Sequence, residues 1–206
     1  MQIEAARAVA LYEAFLAGCH TKADELDDSS GSFGQFAQDP ICRWIKSRQA
    51  TGADPHTTAS TLLGWMDDDP YAFCYQIEKD AAAAFDKAGL AAFEEQIRQR
   101  FGASWSDPSS WTYRWMAEIL RAIYVAQRDI KASIALSETE LKPEDCLAVA
   151  KMFVPRKPNE ALAWVERGRA LDREGQFRST SAYDLDKLHR ELLSQLGRAD
   201  TRRCSV

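Results

Sequence analysis

The 206-residue sequence lacks the cysteine and apolar patterns that mark metal-binding, disulfide-bonded and membrane-spanning proteins. Its five cysteines are scattered without CxxC or CxC spacing: Cys19, Cys42, Cys74, Cys146 and Cys204. An odd, dispersed set of this kind indicates reduced thiols rather than a disulfide framework. No apolar run approaches the roughly 18 residues that a membrane span needs. Glu4 and Arg7 interrupt the apolar amino terminus, which predicts an amphipathic helix and not a signal peptide. We therefore expect a cytoplasmic protein.

The sequence also has no net positive charge and few strand patterns. The net charge of −5 repels phosphate backbones, so direct nucleic-acid binding would need a local basic face and we do not expect it. No segment alternates apolar and polar residues over a convincing length, and glycine and proline fall between apolar helical stretches. The lack of strand patterns and the positions of glycine and proline favour an all-α protein.

Prolines mark several of the predicted helix starts. Asp54-Pro55, Asp69-Pro70 and Asp107-Pro108 each place a capping acid before a proline at the first helical position, where its missing N–H costs nothing. Lys142-Pro143 and Lys157-Pro158 supply the proline without the acid. Ten helices are predicted near residues 3–26, 33–49, 55–66, 70–87, 89–101, 108–127, 128–138, 143–154, 158–172 and 181–196.

Two of these predicted helices carry specific expectations about packing. In the first helix we expect the buried side to contain Ile3, Ala6, Val9, Ala10, Phe15 and Leu16. Pro40 lies inside the second helix, so a kink or a split into two shorter helices is possible there. Short connections imply antiparallel neighbours, and the simplest architecture is an α/α superhelix. We expect one domain over residues 1–206, with a weak break near 102–108 where Gly, Ser and Asp cluster.

The stretch 159–172 organises the predicted fold. Small and large apolar residues alternate in it at helical spacing, which lets a neighbouring helix approach closely and pack over Trp164; they are Ala161, Ala163, Trp164, Gly168 and Leu171. With Pro158 ahead of it and an amphipathic helix on either side, it is typical of the second helix of a tetratricopeptide-type pair.

A cluster of aromatic residues is the most distinctive feature of the composition. Its members are Trp105, Trp111, Tyr113 and Trp115. Trp111 and Trp115 share one helical face with Ile119, which predicts that they pack in the core. Trp105 and Tyr113 fall off that face, and aromatic residues dominate protein interfaces. Trp105 and Tyr113 are therefore our candidate partner-binding residues.

Three other groups of residues have more ordinary interpretations. The acidic run 67–69 could hold a hard cation, but an acid before Pro70 is better explained as a helix cap. Asp186 and His189 lie three apart and could form an acid-oriented base, yet no nucleophile is placed beside them. Cys19 and His20 are adjacent, so their side chains diverge. The carboxy-terminal arginines interleave with acids and predict a salt-bridged surface.

Longer stretches carry a resemblance to a known family: ARAVALYEAFLAG, DDSSGSFG, LLGWMDDDPYAFCYQIEKDAAAAFDKAGLAAFEEQIRQRF, EALAWVERGRALD and DLDKLHRELLSQLGRAD. Together they resemble a bacterial family of uncharacterised tetratricopeptide-like proteins, some of which carry a SWIM-type zinc finger ahead of the helical repeats. The resemblance implies an α/α superhelix and protein–protein contacts, with no catalytic residues to carry over.

The chain departs from that family in two places. A SWIM finger needs a CxC and a CxH to supply four zinc ligands, and neither pattern occurs here, so zinc binding does not carry over. After LGRAD the family pattern continues into a partner helix, whereas this chain closes with residues 201–206. In this comparison the last helix therefore has no partner helix, which suggests a truncation or a frameshift.

The sequence therefore predicts a non-enzymatic helical-repeat adaptor that binds a protein or peptide, with no cofactor and no metal. The alternative is an accessory module of a nucleic-acid-associated system related to the SWIM zinc-finger proteins. A third class, an enzyme with a pocket between helices, would need a deep cleft with titratable groups such as His189. The partner, the biological process and the oligomeric state do not follow from the sequence.

Overall fold

The computed structural model describes residues 2–25, 32–101, 111–137, 141–175 and 178–198, and all the regular structure among them is helical. These residues form α1 (Gln2–Lys22), a 3-10 helix (Ala23–Glu25), α2 (Ser32–Ala50), α3 (Pro55–Asp67), α4 (Glu78–Ala84), α5 (Lys87–Phe101), α6 (Trp111–Gln127), α7 (Ile130–Ser137), α8 (Pro143–Phe153), α9 (Pro158–Glu174) and α10 (Ala182–Gln195). The all-α prediction is confirmed, while the superhelical repeat arrangement stays a prediction. No helix in the described part is long and apolar enough to cross a membrane.

The chain divides into two compact units, Met1–Gln127 and Arg128–Val206. The division follows α6 and falls at Arg128, whose φ of 56° puts its backbone in the left-handed region. The sequence predicts one domain with a weak break near 102–108, and residues 102–110 lie outside the described part. Each unit is described separately below.

The Asp-Pro pairs do not all begin helices. Asp54 caps α3 as predicted, because its carboxylate accepts hydrogen bonds from the backbone N–H of Thr57 at 2.7 Å and from the Thr57 hydroxyl at 2.7 Å. Pro143 and Pro158 begin α8 and α9 as predicted. The pair Asp107-Pro108 lies outside the described residues.

The predicted helix at 70–87 is wrong over its first half. Residues 70–77 form turns, in which Ala72 and Gln76 have left-handed backbone conformations, and α4 begins only at Glu78. The carboxylate of Asp69 accepts the backbone N–H groups of Phe73 at 2.8 Å and Cys74 at 2.6 Å. Asp69 therefore stabilises a turn, because its side chain offers these amides an alternative to helical partners.

The predicted buried side of α1 is also largely wrong. Leu16 is buried, but Ile3, Ala6, Ala10 and Phe15 are exposed. α1 packs on α2 through the side that carries Leu16 and Cys19. The apolar residues run almost all the way round this helix, so their spacing does not select one face.

The core of the first unit centres on Trp44 in α2, which is fully buried. Its indole N–H donates to the Glu13 carboxylate of α1 at 3.0 Å, and its ring lies 4.5 Å from that of Trp65 in α3. α2 remains a single helix through Pro40, so the predicted split does not occur. Around this centre α3 packs on α5, while α6 packs on both α4 and α5.

In the second unit α9 packs on α8 and on α10, as its small and large apolar residues predict. The buried cluster contains Leu147 and Ala150 of α8, Leu162 and Val165 of α9, and Leu185 of α10 among others. Trp164 packs against this cluster and carries the Arg167 guanidinium 5.2 Å above its ring. α9 is therefore the central helix of the unit.

Gly168 permits the close approach of these three helices. A Cβ atom at this position would lie 2.8 Å from Cys146 Cβ and 3.0 Å from Leu185 Cδ2. Both distances are shorter than carbon–carbon contact, so any side chain here would push α8 or α10 away from α9. The close helix approach that the stretch 159–172 predicts therefore occurs at Gly168.

We expect Gly168→Ala to lower the melting temperature even though alanine is the better helix former. Alanine gains about 1 kcal/mol in a helix interior, but overpacking typically costs about 1–3 kcal/mol. The matched control is Gly64→Ala in α3, where a Cβ would meet nothing within 4 Å, and it should raise the melting temperature. Thermal unfolding followed by circular dichroism checks both, and a stabilising Gly168→Ala would contradict the packing argument.

Candidate functional site

The candidate partner-binding surface lies at the start of α6, where two tryptophan rings stack. The rings of Trp111 and Trp115 are 5.7 Å apart between centroids with an interplanar angle of 7°. Trp111 is 71% exposed, whereas Trp115 is half-buried beneath it. Large aromatic side chains are normally buried, so a tryptophan that is mostly exposed distinguishes this surface. We call Trp111 and Trp115 the tryptophan stack.

This arrangement reverses the predicted faces of α6. Tyr113, a predicted partner-binding residue, is only 4% exposed and lies in the interior of the first unit. Trp111, a predicted core residue, is at the surface. The assignment of Tyr113 to a partner-binding surface is therefore wrong, and Trp105 lies outside the described residues.

The reversal follows from the two neighbours of α6. Because α4 and α5 both pack on it, α6 buries more than half of its circumference. The middle of the buried arc is Met116 and Ile123, Tyr113 lies within the arc, and Trp111 falls just outside it. If the helical spacing is counted from Tyr113 instead of Trp111, the sequence predicts the buried face of α6 correctly.

Glu118 lies on the side of α6 that carries the tryptophan stack. It is three residues from Trp115 and pairs with Arg121 at 3.0 Å. Burial raises the pKa of Glu78 in α4, and the negative charge of Glu118 raises it further. An exposed indole face suits apolar and cationic side chains.

The acidic run 67–69 is engaged by other groups of the protein. Asp67 forms an ion pair with Arg100, and Asp69 accepts the two amides described above. Asp69 is not the helix cap that the sequence predicts, since no helix begins at Pro70. In the described ranges no group of three or more His, Cys, Asp and Glu side chains could hold a metal ion.

Asp186 is engaged by arginines. Its carboxylate accepts from Arg169 at 2.7 Å and from Arg178 at 3.4 Å, and His189 lies 3.8 Å from Glu166. These pairs match the predicted salt-bridged surface of the carboxy-terminal third.

A cleft of about 170 Å³ lies beside these pairs, in the hairpin that joins α9 to α10. Its arginines are Arg169, Arg173 and Arg178, and its acids are Asp172 and Asp186. Asp172 is buried and accepts the backbone N–H of Ser179 at 2.6 Å, while Arg178 lies 3.7 Å from its carboxylate. Both acids are therefore paired with Arg169 or Arg178, and the network serves to close the hairpin.

Comparisons of the chain with protein-family models, with curated proteins and with solved structures find no match.

The Asp172 network should make the second unit sensitive to acid. The Ser179 amide, and to a smaller extent Arg178, hold the pKa of Asp172 below its ordinary value. A carboxyl group whose pKa falls on folding contributes stability above its unfolded pKa of about 3.9, and this contribution is lost as the pH falls through the lower folded value. We expect Asp172→Asn to be less stable than wild type at pH 7 and the difference to shrink below about pH 4.

Thermal unfolding between pH 7 and pH 3 measures this difference. The matched control is Asp184→Asn, which removes an exposed carboxylate paired with Lys151 at 3.6 Å in the same unit. An exposed pair contributes little, so the control should change stability less. A stability difference for Asp172→Asn that is constant across this pH range would refute the linkage.

Three thiols, buried at Cys74 and Cys146 and half-buried at Cys42, should react slowly in the folded protein. Burial raises the pKa of Cys42 to about 11, of Cys74 to about 12 and of Cys146 to about 11. Because the thiolate is the reactive form, alkylation by iodoacetamide at pH 8 should be slower than in guanidinium by on the order of 100-fold or more. Peptide mass spectrometry gives the rate for each cysteine. Labelling of Cys74 at the unfolded rate would contradict the predicted burial.

Proposed function

We propose that this chain is a non-enzymatic helical scaffold that binds a protein or peptide partner through the tryptophan stack. The observation that supports the proposal is the exposure of Trp111, whose ring lies on Trp115 at the end of a helix that is otherwise packed on two sides. The stack needs no rearrangement of the helix core to receive a ligand, so little conformational entropy is lost on binding.

Tryptophan is the residue type that most often dominates a protein interface. Its large rigid surface is desolvated on binding at a small cost in side-chain entropy, and truncation of such an anchor commonly costs about 2 kcal/mol or more. Trp115 fixes the ring of Trp111 from below, which leaves the other face of the indole for the partner. Glu118, on the same side of α6, is half exposed beside its partner Arg121, and a cationic group of the partner protein can share this carboxylate.

The proposed partner segment therefore carries an apolar, proline or arginine side chain that stacks on Trp111, with basic residues nearby. Arginine fits both features because its guanidinium stacks on an indole and pairs with a carboxylate.

A random peptide library displayed on phage, selected against the full chain, tests this proposal. Selected peptides should be rich in arginine, proline or apolar residues, and fluorescence polarisation gives their dissociation constants. We expect Trp111→Ala to weaken binding by about 30-fold or more, which corresponds to the roughly 2 kcal/mol of an interface hot spot.

The matched control is Val125→Ala, which truncates another exposed apolar side chain of the same helix and should leave affinity unchanged. Circular dichroism of both variants establishes that they fold. Peptides that bind Trp111→Ala as tightly as wild type would remove the tryptophan stack from the proposal. Salt-sensitive binding of fluorescent single-stranded DNA or RNA, without peptide binding, would instead favour a nucleic-acid module.

A further inference from the structure

Three of the exposed large apolar side chains lie on α1: Ile3, Leu11 and Phe15. Ile3 is 73% exposed and Leu11 is 69% exposed, although both belong to a helix that is apolar almost all round. Phe15 extends this surface to Phe36 of α2, which is 61% exposed and meets Phe15 edge to face with ring centroids 5.8 Å apart. A contiguous patch of this kind is typical of an interaction site.

Two parallel rows of residues form the patch, and each row has a spacing of four. The first row contains small residues, Ala6, Ala10, Ala14 and Gly18, all of them exposed. The second row contains large residues, Ile3, Arg7, Leu11 and Phe15, which are exposed as well. Residues four apart form a ridge along a helix, so α1 presents a large ridge beside a shallow groove.

We propose that this patch binds a second copy of the chain, with the two α1 helices packed antiparallel about a twofold axis. In that arrangement Leu11 lies at the level of Ala14 of the second copy. Arg7 lies at the level of Gly18, where a Cβ atom would have nothing within 4 Å in this chain. The interface is self-complementary, as twofold interfaces must be.

Charge complementarity selects the antiparallel direction. Glu4 lies near the start of α1 and Lys22 at its end, on the same side of the helix. Antiparallel packing brings Glu4 of each copy to Lys22 of the other, which extends the exposed Lys22–Glu25 pair of 2.7 Å. It also brings Arg7 to the carboxyl end of the partner helix, where the helix dipole favours a cation. Parallel packing would instead place identical charges opposite each other.

The length of α1 allows a continuous contact between two helices. α1 has 21 residues and is therefore about 30 Å long, comparable with the width of a small domain. Burial of Leu11 and Ile3 in the dimer would remove the two most exposed aliphatic side chains of the helix from water.

The first test is the mass of the full chain in solution. Sedimentation equilibrium from about 1 µM to 100 µM should show a dimer for wild type, a range that covers the affinities of ordinary specific interfaces. Leu11→Glu and Ala14→Glu each place a charge in the proposed contact and should sediment as monomers. The matched control is Val125→Glu, which changes an exposed apolar side chain of α6 and should remain a dimer.

Circular dichroism at low protein concentration distinguishes a variant that has lost the dimer from one that has unfolded. All variants should show the helix content of wild type. Ala14 is exposed and should tolerate glutamate in the folded monomer, so its variant remains informative if Leu11→Glu unfolds. A wild-type protein that is monomeric throughout the concentration range would overturn the proposal. So would a dimer that survives Ala14→Glu.

A second test determines whether the two α1 helices run antiparallel or parallel. Glu4→Cys and Lys22→Cys proteins, both with Cys204 replaced by serine, are mixed and treated with a short bis-maleimide. Antiparallel packing predicts cross-linked dimers in the mixture and few with either protein alone, because identical positions then lie about 25 Å apart along the helix. Equal cross-linking of each protein alone would indicate parallel packing and refute this geometry. Tryptophan-stack variants should leave both results unchanged.

Discussion

Each helix of this chain must bury an apolar face against a neighbour, and both units depend on this constraint. α9 satisfies it on two sides, because Gly168 lets α8 and α10 approach within direct contact of its backbone. α2 satisfies it through Trp44, whose ring is buried while its N–H reaches Glu13 of α1. Helix propensity alone is too weak to stabilise segments of this length, so such contacts decide which helices persist.

The same constraint explains why two surfaces stand out. α6 buries more than half of its circumference against α4 and α5, which leaves the tryptophan stack at the boundary of the buried arc. α1 buries only the side that faces α2, and the apolar residues on its other sides remain in water. An apolar surface that the chain itself does not cover is one that a partner can stabilise, and this is the physical basis of both proposals.

The two surfaces have different chemical characters. The tryptophan stack is small and has Glu118 on the same side of α6, which suits a short segment with a cationic or apolar anchor. The α1 patch is long, ridged and nearly uncharged at its centre, which suits another helix of the same shape. A chain that uses both would present two copies of the tryptophan stack from one dimer, and linked sites can bind a multivalent partner more tightly than either site alone.

The sequence by itself determined that the protein is all-helical, where most helices begin and end, and that the stretch 159–172 packs closely on its neighbours. Local chemistry sets these features: Asp54 accepts the Thr57 amide within its own turn, and Pro158 fixes the first residue of α9. The tertiary structure alone decided which apolar residues of α1 and α6 are buried, because both helices have more apolar surface than one face and the positions of their neighbours choose among the residues. It also decided that Asp69 closes a turn instead of capping a helix, since its carboxylate meets the Phe73 and Cys74 amides only after the chain has folded back there.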